Sequence, residues 1–281
     1  MNETLSGIKH PAFRDALALT RAGGRAATGR YLVEDADLVR QALSSPAVLH
    51  AVFATPEESP TLAAPCRERG TPLYIASAGL LTKLVGTGYE TAVTAIAVVS
   101  QNLVPVETLL RSSEALILCG ERIQDPRNVG VLIRTAEAVG CDGLLLSADS
   151  SEPFSRQAVR STTGSILRLP IALVENLPET LRAARTAGAT VVASSGQAER
   201  DVFSADLAVR PLILVVGNEQ GGITDALLAA ADVTVRLPMK PNGADSLNVT
   251  VAAGVLLYET IRQKLSVPPK TGRNPGLSAG T

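Results

Sequence analysis

At 281 residues the chain can form one large domain or two of ordinary size. Its 26 basic and 27 acidic side chains nearly cancel, so any attraction to nucleic acid or a membrane must come from a local patch. Four Phe, four Tyr and no Trp weaken a case for single-strand binding by base stacking, and three scattered cysteines with two histidines exclude a zinc cluster or a disulfide framework.

The three cysteines, Cys66, Cys119 and Cys141, read as small buried hydrophobes. No apolar run reaches membrane-spanning length, and the N-terminus lacks the basic-then-apolar signal pattern. The expected setting is therefore the cytoplasm, with no membrane partner and no metal.

Residues 1–105 read as a small α/β unit. "HPAFRDALALTR" (His10 to Arg21) has helical spacing, with Phe13, Leu17 and Thr20 on one face. A strand at Tyr31 to Val33 precedes a helix that turns Leu38, Val39 and Leu43 inward. The runs Val48 to Ala54, Pro72 to Ala76 and Thr94 to Ser100 are short strands bounded by turns. Residues 106–113 read as part of a linker holding a brief helix.

From residue 114 to 265 strands and helices alternate: "ALILCG", "NVGVLIRTAEAVG", "GLLLS", "SRQAVRSTTGS", "LRLPIAL", "LPETLRAARTAG", "ATVVASS", "PLILVVG", "ITDALLAAA", "VTVRLP" and a long final helix. Such alternation implies a mostly parallel sheet covered on both faces. The Pro/Gly/Ser-rich stretch 266–281 reads as a disordered tail.

Ligands of open α/β sheets settle beyond the carboxyl ends of the strands, and three segments there carry unusual polar residues. In "CGERIQDPRNVGVLIRTAEAVG" (Cys119 to Gly140), Asn128 is the expected N-cap, and Arg134 places a charge among apolar neighbours. In "LILVVGNEQGGIT" (Leu212 to Thr224), a buried strand ends at Gly217 before Asn218 and Glu219, without the lysine of a P-loop or the spacing of a dinucleotide fingerprint. In "LPMKPNGADSLNVTVAAGVLLYETI" (Leu237 to Ile261), Asp245 or Ser246 is the expected cap of a helix whose Leu247, Val251, Val255 and Tyr258 recur at helical spacing.

Together "DPRNVGVLIRTAEAVG", "LVVGNEQGGI" and "LPMKPNGADSLNVTVAAGVLLYE" resemble, in order, the three signature motifs of the SpoU-type RNA 2′-O-ribose methyltransferases of the SPOUT superfamily. The resemblance covers residues 115–264. It implies a trefoil-knotted parallel-sheet domain that binds S-adenosylmethionine without a metal and dimerises through its final helix. By the same resemblance Arg134 lies nearest the reacting hydroxyl, with Asn128, Glu219, Ser246 and Asn248 around it and Glu219 as its carboxylate partner. Ser195, Gly196, Val216, Gly217, Leu237, Met239 and Leu247 would hold the cofactor, Gly217 by close backbone approach.

The N-terminal unit is similar, through "HPAFRDALALTR" and "GRYLVED", to the ribosomal-protein-like domain of rRNA-directed members. Arg21, Arg25 and Arg30 are its candidate RNA phosphate contacts. Large-subunit 23S rRNA is the favoured substrate. Transfer RNA and a non-catalytic knotted RNA-binding or assembly protein are the alternatives. The chain departs from the family between "LPM" and "SLN", where "KPNGAD" is one residue longer than the usual spacing.

Overall fold

The structure is a computed structural model describing residues 2–85 and 93–266. The first half contains β1 (Asn2–Thr4), α1 (Pro11–Ala18), α2 (Ala22–Thr28), β2 (Arg30–Glu34), α3 (Ala36–Ser44) and β3 (Leu49–Ala54). These are followed by α4 (Ser59–Glu68), β4 (Leu73–Ile75), α5 (Ala78–Val85) and β5 (Ala95–Ser100). Its five strands form a mixed sheet in the order β1-β4-β3-β5-β2. β1, α2, α4 and α5 are additions to the sequence reading. Phe13, Ala16 and Leu19 are buried around α1, whereas Leu17, expected on the inner face, is exposed.

After α6 (Val106–Leu109) come β6 (Leu116–Gly120), α7 (Pro126–Val139), β7 (Gly143–Ser147), α8 (Arg156–Ser161), β8 (Ile171–Val174) and α9 (Leu177–Thr186). The chain continues through β9 (Thr190–Ser194), β10 (Leu212–Val216), α10 (Asp225–Leu228), β11 (Val233–Val235) and α11 (Val249–Ser266). These six strands are all parallel, in the order β11-β9-β10-β6-β7-β8. Ser266 ends α11, so the expected disordered tail does not begin there; its remaining residues lie outside the described ones.

Strand alternation divides the parallel sheet's side chains between two layers. Leu116, Leu118, Leu144, Leu212 and Leu214 join one core with Val129, Leu132 and Ile133 of α7 and Ala253, Leu256 and Leu257 of α11. Ile117, Cys119, Leu145, Ile213 and Val215 join another with Leu181 of α9 and Leu227 of α10. The first core continues into the mixed sheet through Tyr31, Val33, Val52 and Ala97. All three cysteines are buried, and burial pushes the Cys66 thiol up to about 11 and that of Cys141 to about 12.

The two sheets also meet through polar contacts. Arg25 donates from Nε and Nη2 to both carboxylate oxygens of Glu152 at 2.6 Å, and Arg156 Nε donates to Glu34 at 2.7 Å. The rings of Tyr31 and Phe154 lie 5.1 Å apart.

Candidate active site

Strand register brings Gly120, Val216, Ser194 and Val235 to one edge of the parallel sheet. The first loop leaves β6 at Gly120. Asp125 caps α7 by accepting from Arg127 N at 2.8 Å, with Pro126 in the first helical turn. Asn128, the N-cap expected from sequence, is therefore not the cap. It is the third residue of the helix, and its side-chain amide reaches across to the other two loops. Gly140 closes the helix in the left-handed conformation, φ 82°.

Asn128 Nδ2 donates to Glu219 Oε1 at 2.8 Å, and Gln124 N donates to Glu219 Oε2 at 3.3 Å. Asn248 Nδ2 approaches Asn128 Oδ1 at 3.4 Å. These bonds join all three sequence motifs across 91 and 120 positions of chain. Partial burial works against ionisation of Glu219, but the Asn128 amide and nearby backbone N–H groups outweigh it and hold the carboxyl below its usual range.

Glu121 and Asn218, which the sequence reading left without a role, tie the first two loops together. Buried Glu121 accepts from Thr224 N at 2.8 Å and Thr224 Oγ1 at 2.6 Å, fixing the start of α10. Asn218 Nδ2 donates to the Arg122 carbonyl at 2.8 Å, while its Oδ1 accepts from Gln220 N and Gly221 N. Polar residues directly after apolar strands were the available signal.

The structure gives a different reason for Gly217. A Cβ there would lie 2.4 Å from the Gly222 carbonyl carbon and 2.5 Å from Ile223 N. The glycine thus lets the second loop close on itself, through paired Asn218–Gly222 backbone bonds of 3.0 and 2.9 Å. Gly196, by contrast, has no heavy atom within 4 Å of a built Cβ. Val216 is buried in the core with its carbonyl bonded to Glu121 N at 2.9 Å.

In the third loop Asn248, not Asp245 or Ser246, caps α11: its Oδ1 accepts from Thr250 N at 2.9 Å and Thr250 Oγ1 at 2.6 Å. Ser246 lies exposed before it. Lys240 to Gly243 form a closed turn, with Gly243 N donating to the Lys240 carbonyl at 3.0 Å and Asn242 at φ 58°. Pro241 and a positive-φ Asn242 are what a type II turn requires. Leu237 packs against the core, while Met239 and Leu247 remain 38% and 41% exposed.

Arg134 is exposed and makes no hydrogen bond or ion pair among the described residues, so the expected Arg134–Glu219 pair is replaced by Asn128–Glu219. Arg25 also requires correction: it is 7% exposed, with its guanidinium bonded to Glu152 and the Leu19 carbonyl, leaving it unavailable to RNA phosphate. Arg21 is exposed and Arg30 half-buried. Among the described residues no cluster of His, Cys, Asp and Glu could hold a metal ion, and no helix is long and apolar enough to cross a membrane.

Along most of its length the chain is similar to named RNA methyltransferases. A Synechocystis protein named an uncharacterized tRNA/rRNA methyltransferase is 32% identical over 93% of this chain and 94% of its own length. The 23S rRNA (guanosine(2553)-2′-O)-methyltransferase RlmP of Bacillus subtilis is 28% identical over 90% of this chain and 97% of that one. The solved AdoMet-bound rRNA methyltransferase of Sinorhizobium meliloti superposes with a TM-score of 0.84 at 29% identity, covering 94% of this chain and 99% of that one. The family model for the SpoU rRNA Methylase family matches residues 115–258, which hold all three loops and their shared Asn128–Glu219–Asn248 junction; the chain belongs to that family.

Proposed function

We propose that this chain transfers a methyl group from S-adenosylmethionine to a ribose 2′-hydroxyl of 23S rRNA. The observation that carries the reading is the Asn128–Glu219–Asn248 junction at the strand ends, on the helix that also displays Arg134. The reactions named for the Bacillus and Sinorhizobium relatives support it. So does the fit of the cofactor: half-exposed Leu237, Met239 and Leu247 offer apolar walls, and open space faces Gly196. Ser195, Gly196, the Gly217 backbone and Leu237–Leu247 would hold it.

When bound, S-adenosylmethionine supplies a methyl already activated on a sulfonium. The chain's tasks are positioning and charge stabilisation. A guanidinium is a fixed positive charge, and Arg134 places one beside the hydroxyl as that oxygen becomes an alkoxide. Glu219, held ionised by its donors, is a weak base and instead orients Asn128. Asn248 and Ser246 border the ribose from the start of α11.

Residues 1–105 serve as the RNA-recognition unit, with Arg21 and Arg30 as its phosphate contacts; 106–113 link it to the methyltransferase domain at 114–265. The path from edge strand β11 through residues 237–248 to α11, which packs on α7 and β10, supports a trefoil knot. Exposed Val251, Val255 and Tyr258 on α11 support a homodimer, and the enzyme works in the cytoplasm with its RNA.

The test is methyl transfer from labelled S-adenosylmethionine by the purified protein to 23S rRNA and to tRNA, followed by mapping of ribose methylation. Label confined to a 2′-oxygen in 23S rRNA is expected. Label on tRNA alone would redirect the substrate assignment, and cofactor and RNA binding without transfer would support the non-catalytic alternative.

A further inference from the structure

Arg122 stands two residues beyond the end of β6, at φ 51°. A non-glycine residue in this left-handed region is strained, and glycine would adopt it freely. The neighbours hold it there. Its N–H donates to Ser147 Oγ at 2.8 Å, and its carbonyl accepts from Asn218 Nδ2 at 2.8 Å and Gln124 Nε2 at 3.2 Å. The backbone requirement alone therefore favours glycine, and the arginine must be explained by its side chain.

That side chain has no hydrogen-bond or ion-pair partner among the described residues. Nε is buried without a hydrogen bond, and the guanidinium forms no ion pair among the described residues. Nη2 lies 3.7 Å from the Cβ position built at Gly221, tucked against the exposed turn of the second motif. Arg25 and Arg127, by contrast, are bonded to Glu152 and Asp125. A partly desolvated guanidinium with unpaired N–H groups is suited to an anion, and its planar fork to phosphate or carboxylate.

Two anions belong to the proposed reaction, an RNA phosphate and the cofactor's carboxylate. Sheet order favours the first, because the loops after β9 and β11 lie beyond β10 from Arg122, whose guanidinium reaches only the exposed β10 turn at Gly221. The expected cofactor loops follow β9, β10 and β11, whereas Arg122 follows β6 and is anchored to Ser147 at the end of β7, on the other side of β10. We propose that Arg122 binds a backbone phosphate of the substrate RNA beside the modified ribose, a role resting on the RNA methyltransferase reading above.

The experiment compares the wild-type protein with Arg122→Gly and Arg122→Lys, measuring thermal midpoint, cofactor affinity, and RNA affinity across a salt series. Arg122→Gly is expected to melt at the same or a higher temperature. It should bind S-adenosylmethionine as the wild type does, yet bind RNA on the order of tenfold more weakly. Its salt slope should fall by about one unit, as for one lost phosphate contact. The effect on turnover should lie in KM rather than kcat, and Arg122→Lys should recover most of the salt slope. Unchanged RNA affinity and slope, a lowered melting temperature, or a loss confined to cofactor affinity would each overturn the assignment. Failure of the wild type to transfer methyl would count against the enzymatic reading alone, because the RNA-binding comparison still decides the role of Arg122.

Discussion

Glu219 accepts bonds from a side chain and a backbone N–H that both come from the first loop, so its charge links site assembly to pH. Its folded pKa lies below the ordinary carboxylate value. Its contribution is therefore complete above the unfolded pKa and is lost as pH falls through the folded one. Wild-type stability should decline relative to a Glu219→Gln variant between about pH 5 and pH 3, and melting curves in that window would check it. Equal slopes would mean that the carboxylate is not coupled to folding. Arg134 has a different signature. Exposed and without a bond among the described residues, it can be removed at little cost to the fold. Arg134→Ala should keep the melting temperature and S-adenosylmethionine affinity while lowering kcat about 10²- to 10³-fold. Single-turnover methyl transfer at saturating RNA is the measurement, and an unimpaired rate would remove Arg134 from the chemistry.

The two loop glycines do different work, and substitutions separate them. Gly217→Val pushes a side chain into the Gly222–Ile223 backbone, so both melting temperature and cofactor binding should fall. Gly196→Val meets no protein atom within 4 Å, so calorimetry should find the fold intact and S-adenosylmethionine binding weakened. Unchanged affinity would move the cofactor away from this loop. Both glycines stood out in the sequence, but the space around each depends on chain folded against it. The parallel strands and α7 were readable because continuous apolar runs and a glycine stop are local signals. α2 was missed because "AGGRAAT" has no apolar period; Gly24 instead lets it approach α1, a built Cβ lying 2.0 Å from the Ala18 carbonyl oxygen. The caps were misplaced by a few residues, at Asn128 for Asp125 and at Asp245 or Ser246 for Asn248, since either local sequence can supply a suitable side chain. The roles of Glu121, Arg122 and Asn218 depend on partners roughly 25 to 100 residues away, which periodicity does not encode.

Assembly of the whole molecule uses one seam inside the chain and, on the reading above, another between chains. The inner seam includes the Arg25–Glu152 clamp, whose guanidinium is largely buried. Glu152→Ala would leave that charge unpaired, and denaturant melts should show a loss of about 3 kcal/mol. The outer seam follows from α11. Its buried face, Val249, Ala253, Leu256, Leu257 and Thr260, packs on the protein's own core. The residues that recur at helical spacing in the sequence lie outside that buried face: Val251, Val255 and Tyr258 are 51%, 38% and 60% exposed, and Leu247 leads into them from the third motif. An apolar stripe on an otherwise well-packed helix marks a partner surface, and a two-fold pairing would let the same stripe cover itself. Because that stripe begins at the Asn248 cap, pairing would also border the site. A Val251→Asp/Tyr258→Asp variant should therefore remain folded, run as a monomer in light scattering, and lose methyl transfer. A variant that stayed dimeric would place the interface elsewhere, whereas a fully active monomer would show that one chain completes the site alone.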